Sequence, residues 1–115
     1  MNVEINNLTR RKIDEKFLTG VAKKVLKGEN RREDISIVFV GEKRMSELNK
    51  KYRHQDKVTD VLSFGEGLNE IVICLAVIKT KKELVKVLIH GVLHVLGYEH
   101  SKIMQGKEQK WQNHT

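Results

Sequence analysis

An α+β fold, a small mixed β-sheet of about four strands with packed helices, is predicted by three features of this 115-residue chain. Apolar residues switch along it between helical spacing and dense β-branched runs. Glycines stand at most of the switches, where the chain has to end an element or turn. The segment from about Lys81 is apolar nearly all round except at its histidines and Gly91, as expected of a central helix buried against one face of the sheet and covered by other elements. Neither repeats, low-complexity tracts nor linkers divide the sequence, and its length suits a single core, so residues 1–115 are expected to form one domain.

Taken in order, Val3 to Ile5 reads as a short edge strand. Ile13, Phe17, Val21, Val25 and Leu26 recur at helical spacing from about Asp14 to Lys27, and Gly28 ends that helix. A charged turn, Arg31 to Asp34, leads into the β-branched run Ile35 to Val40, a core strand stopped by Gly41. Met45, Leu48 and Tyr52 mark one face of a short helix. Val58 to Phe64 and Glu70 to Val77 read as two further strands, separated by a turn at Gly65 and Gly67. The histidine helix follows, with Leu84, Val85, Leu88, Val92, Leu93, Val95 and Leu96 as its core-facing residues. A polar helix carrying Ile103, Met104 and Trp111 comes last, with Trp111 as a packing anchor rather than a base-stacking platform.

The chemistry is concentrated between His90 and His100. Three of the five histidines fall there, at x3 and x5 spacing. His90 and His94 are one helical turn apart on one face, so both imidazoles can reach a single ion. Gly97 can take the left-handed conformation that ends a helix, turning His100 back toward them. Three neutral nitrogens leave a fourth tetrahedral position open for water, the arrangement of a catalytic zinc rather than a closed structural one. The spacing equals that of the metalloprotease pattern H-E-x-x-H-x-x-G-x-x-H at every position but one, because Gly91 stands where a protease carries its general-base glutamate. A metal-activated water is therefore expected, without the usual route of peptide hydrolysis. Gly91 has two readings: room beside the metal for a bulky phosphodiester, or close helix packing.

Composition narrows the partners. The 22 Lys and Arg against 15 Asp and Glu give a formal charge of +7, which favours an anionic partner, most commonly nucleic acid, although scattered lysines also serve solubility alone. No run of eighteen apolar residues exists and the amino terminus is polar rather than signal-like, so a cytoplasmic protein with no membrane span is expected. Cys74, the single cysteine, excludes an internal disulfide and reads as a small buried hydrophobe.

Leu48 to Phe64 forms a second informative segment, running from a helix through a polar loop into a strand. Arg53 stands where the loop begins. Its planar fork of donors could reach a phosphate above the metal, or it could pair on the surface with Asp56 or Asp60. Thr59 and Asp60 could likewise be no more than loop ties.

Together the two segments resemble the YbeY family, bacterial rRNA maturation factors that are zinc-dependent, single-strand-specific endoribonucleases. Leu48 to Phe64 is similar to the family's L-N-x-x-Y-R-x-x-D-x-P-T-D-V-L-S-F, Glu70 to Cys74 to its G-E/D-I-V-I, and His90 to His100 to its H-G-x-L-H-L-x-G-Y-D-H, in the same order. The resemblance implies His90, His94 and His100 as ligands of one zinc ion per chain and Arg53 as the functional arginine. It implies a substrate of single-stranded or ribosomal RNA, with the ribosome or ribosomal proteins as further partners. The chain departs from the family pattern at Val58, in place of proline, at Glu99, in place of aspartate, and at Asn69, where glycine is common. Only Leu75 to Lys82 joins the I-V-I strand to the histidine helix, a shorter connection than family members usually carry.

The expected mechanism is attack of a metal-activated water on a phosphodiester, with Arg53 offsetting charge on the scissile phosphate. Asp60 and Glu99 are the carboxylates that could assist, and His54 is a candidate proton shuttle or a solvated loop residue. Two rival readings are a non-catalytic, metal-stabilised ribosome-assembly factor, for which His114 would be a conceivable fourth ligand, and a metal hydrolase of small substrates.

Overall fold

A computed structural model describes residues 1–99 and 101–115. Four strands, β1 (Val3–Asn7), β2 (Ile35–Val40), β3 (Val61–Phe64) and β4 (Glu70–Cys74), form one sheet in the order β1-β2-β4-β3. β2 pairs in parallel with β1 and β4, whereas β3 and β4 run antiparallel across their short turn, so the sheet is mixed as expected. Parallel neighbours require a crossover, and helix α1 (Glu15–Gly28) supplies the one between β1 and β2. Helix α2 (Glu42–Arg53) follows β2, and helices α3 (Lys81–Val95) and α4 (Lys102–Asn113) follow β4.

Both faces of the sheet are covered, which accounts for the unbroken apolar run of β4. Ile35, Ile37, Phe39, Ile71 and Ile73 point to the larger core, shared with α1, α3 and α4. Val40, Leu62, Val72 and Cys74 point to the other side, where Met45 of α2 closes a smaller core. Cys74 is fully buried, and burial raises its thiol pKa. No helix among the described residues is long and apolar enough to cross a membrane.

Gly28 ends α1 as expected, and Asn30 takes the left-handed backbone (φ 57°) beyond it. Trp111 lies against Gly28, and a Cβ there would run into the indole ring. Three expectations are corrected. β3 begins at Val61 rather than Val58, and β4 ends at Cys74, where a 3-10 turn (Leu75–Val77) takes over. The Arg11 guanidinium holds that turn, with Nη1 donating to the carbonyls of Leu75 (2.9 Å) and Ile78 (2.6 Å). Tyr52 is half-exposed, and the buried residues of α2 are Met45 and Asn49.

Candidate functional site

The α3 helix starts on a cap legible in T-K-K-E. The Thr80 hydroxyl accepts from the Glu83 N–H (3.1 Å), while the Glu83 carboxylate accepts from the N–H of Lys79 (3.2 Å). From there α3 runs with Leu84, Leu88, Ile89, Val92 and Leu93 in the core. His90 and His94 remain partly accessible, with their ring centroids 4.4 Å apart, as the one-turn spacing predicts.

The end of α3 follows the expected glycine turn. Leu96 caps the helix, Gly97 takes φ +97°, the Gly97 N–H donates to the His94 carbonyl (3.0 Å) and the Tyr98 N–H to the Leu93 carbonyl (3.1 Å). This double closure is the Schellman arrangement, and it redirects the chain toward residue 100. Arg31 secures it, Nη1 donating to the Leu96 carbonyl at 3.1 Å. His100, the third histidine of the expected ligand set, lies outside the described residues.

A carboxylate unforeseen in the sequence backs His90. Nδ1 of His90 lies 2.5 Å from Oε1 of Glu108 on α4, with 24% and 17% of the two side chains exposed. A carboxylate accepts, so Nδ1 carries the proton, which in a neutral ring leaves the lone pair on Nε2. The donor set fits a divalent ion such as zinc: two imidazoles on one helical face, one of them held through the nitrogen that cannot ligate. Glu108 was legible in principle. It falls four residues after Met104 and three before Trp111, on the inward face of an amphipathic helix, where a charge needs a partner.

Two clefts reach the histidines. One, of about 300 Å³, opens beside His90 and is lined by Asp60, Glu83, Lys86 and Glu108 among others. The other, of about 480 Å³, opens beside His94 between Phe64, Tyr98 and Glu99. Asp60 and Glu99, the two carboxylates expected to assist, thus lie on different sides of the pair. Arg53 lines neither cleft. It is the exposed last residue of α2 and forms no ion pair with Asp56, Asp60 or any other described residue, so the surface-pair reading does not hold.

The loop after Arg53 is tied by Asn49, a buried residue whose role the sequence reading missed. Its Nδ2 donates to the Lys57 carbonyl (3.0 Å) and its backbone carbonyl accepts from the Gln55 N–H (3.4 Å). His54 is the exposed left-handed cap of α2 (φ 55°). His114 caps α4, its Nδ1 2.7 Å from the Lys110 carbonyl, and lines neither histidine cleft.

Gly91 is decided in favour of packing. A Cβ on it would lie 2.8 Å from Ile71 Cγ2 and 3.3 Å from Ser63 Oγ, so this flank of α3 faces the sheet. Asn69 has φ 51°, a conformation asparagine tolerates better than most residues. A second buried carboxylate ties α4 down: Glu29 accepts from Tyr98 Oη (2.8 Å), Lys107 Nζ (2.9 Å) and Trp111 Nε1 (3.0 Å). Burial alone would raise the Glu29 pKa, but these donors hold it below the ordinary carboxylate value, and Glu29 in turn raises that of Lys107.

Residues 3–115 match the family model described as Endoribonuclease YbeY. An Endoribonuclease YbeY of Chlorobium luteolum is 37% identical over 114 aligned positions, covering 86% of this chain and 83% of the relative. One of Staphylococcus carnosus is 36% identical over 128 positions, covering 91% and 82%. That alignment is longer than this chain, so the relative carries residues without a counterpart here, in keeping with the short Leu75 to Lys82 connection. The solution structure of TM1509 from Thermotoga maritima superposes with a TM-score of 0.74 at 28% identity, over 96% of this chain and 87% of that one. Sequence and fold agree, and the chain belongs to the YbeY endoribonuclease family.

Proposed function

We propose that this protein is a metal-dependent endoribonuclease of the cytoplasm that cleaves single-stranded RNA, with ribosomal RNA precursors and defective ribosomes as its substrates. His90, His94 and His100 would hold one zinc ion per chain. The observation that carries the reading is the His90 and His94 pair, set one turn apart and backed by Glu108, in a chain of this family. When bound, zinc supplies Lewis-acid activation of water and of a phosphoryl oxygen.

The protein's own residues do the rest. α3 presents two imidazoles from a helix that is buried on its other sides, so little reorganisation accompanies the reaction. Asp60, which lines the His90 cleft, would accept a proton from an incoming water. Arg53, the exposed last residue of α2 and without an ion pair among the described residues, would offer a guanidinium to a phosphate arriving from solvent and offset the charge that gathers on it. A flexible single strand can bend between Arg53 and the histidines, whereas a duplex is too stiff. The net charge of +7 draws such a strand in.

The test is cleavage of a single-stranded RNA by metal-analysed protein, beside the variants His94→Ala and Arg53→Ala. His94→Ala is expected to lose stoichiometric zinc together with cleavage. Arg53→Ala is expected to keep zinc and fold while turnover falls roughly 100-fold, the scale of one lost charge-stabilising donor. Undiminished zinc in His94→Ala would refute the ligand assignment. RNA binding without cleavage by the zinc-loaded protein would leave the assembly-factor reading in its place.

A further inference from the structure

We infer that Glu108 is a positioning residue for His90: its carboxylate holds the imidazole through Nδ1 and so fixes Nε2 as the nitrogen offered to the metal. The inference rests on the metal site proposed above. Its own support is the 2.5 Å contact, made between side chains that are both largely withdrawn from water. Without a fixed partner, a neutral imidazole divides its proton between two nitrogens and rotates about its bond to Cβ. A carboxylate on Nδ1 selects one tautomer and one ring orientation, and it makes Nε2 a better donor.

Packing does not explain the residue. Met104 and Trp111 already seat α4 in the core, and Lys107 joins it to Glu29. An apolar side chain at position 108 would suit that inward face better than a charge. Nor is Glu108 committed elsewhere, because the only ion pair it makes with a described residue is with His90. The other charged groups at the cleft, Asp60, Glu83 and Lys86, make no ion pair with it.

Two readouts test this on the full chain. Zinc affinity is measured by competition with a chromophoric chelator, and the His90 tautomer of the metal-free protein is read from ¹⁵N chemical shifts. Glu108→Ala is expected to weaken zinc binding 10- to 100-fold, the usual effect of removing such a partner, and to release a mixture of tautomers. Glu108→Gln, whose amide oxygen still accepts from Nδ1, is expected to keep the tautomer and recover most of the affinity. If Glu108→Ala does not fold, Glu108→Leu, which keeps the inward face apolar, replaces it. Wild-type affinity and tautomer in a folded Ala or Leu variant would overturn the role of Glu108 while leaving the metal site intact. Weaker binding with an unchanged tautomer would assign the loss to packing and overturn it equally. Failure of the unaltered protein to bind zinc would overturn the metal site, and this role with it.

Discussion

Replacing Gly91 with alanine measures how closely the histidine helix is pressed on the sheet. In an exposed helix the change would stabilise by about 1 kcal/mol, the difference in intrinsic propensity. Here the added methyl would lie 2.8 Å from Ile71 Cγ2, where carbon atoms normally rest about 3.5–4.0 Å apart. Ile71 cannot give way cheaply. It is fully buried, its β-branched side chain is stiff about χ1, and its backbone is paired with Ile37 on one side and Ser63 on the other. Overpacking of this kind costs about 1–3 kcal/mol, so the net change is expected to be a loss of roughly 1 kcal/mol. Urea unfolding of metal-free protein, followed by far-ultraviolet circular dichroism, reads it directly. The companion variant Ile71→Ala removes the obstructing methyl at its own cost of about 2–5 kcal/mol. In that background Gly91→Ala should stabilise, giving a coupling of about 2 kcal/mol between two residues in contact. Stabilisation by the bare propensity value in both backgrounds would refute the close approach and reopen the reading of Gly91 as space beside the metal.

Gly91→Glu, which restores the protease pattern on paper, is expected to give a poorly folded protein without peptidase activity, because its side chain would enter the sheet; a folded variant that cleaves peptides would contradict this. Gly28→Ala should displace the Trp111 ring and destabilise by about 1–3 kcal/mol, read as a lower urea midpoint with altered tryptophan fluorescence. Glu29 has a lowered pKa in the folded state, so its contribution is complete above its ordinary value of 4.5 and is lost as pH falls through the lower folded value. The unfolding midpoint of the unaltered protein should therefore fall more steeply below about pH 4.5 than that of Glu29→Gln, and parallel curves would exclude the role of this carboxylate.

Most of the fold was legible because most of its determinants are local. β2 occupies its expected residues, α1 and α3 begin within a residue of the expected positions, and α4 carries Ile103, Met104 and Trp111 as expected. The strand errors share one cause. Val58 and Val77 are β-branched residues that stand beyond the points at which pairing stops, and propensity cannot tell that Val61 is the first residue of β3 with a partner on β4. Gly28 ends α1 where the spacing placed it, but the indole that packs on it comes from the far end of the chain and leaves no local signal.

The site divides along the same line. His90, His94 and Gly97 are set by one helix and its cap, so spacing alone placed them. The groups that hold them come from distant positions: Glu108 is 18 residues from His90, Arg31 is 65 from Leu96, and Glu29 is 69 from Tyr98. None of these contacts has a local signature beyond a charge on an inward helical face. Yet they connect in space, because Glu29 binds Tyr98 at the turn after α3 and also Lys107 and Trp111 on α4, the helix that carries Glu108. One buried carboxylate thus fixes both the turn leading to residue 100 and the helix that backs His90. It follows that Glu29→Gln should disturb His90 without touching it: zinc binding should weaken in the folded variant, and the loss should shrink when Glu108 is already alanine, since both act through one helix. Full additivity of the two losses would show that Glu29 and Glu108 support the histidines independently.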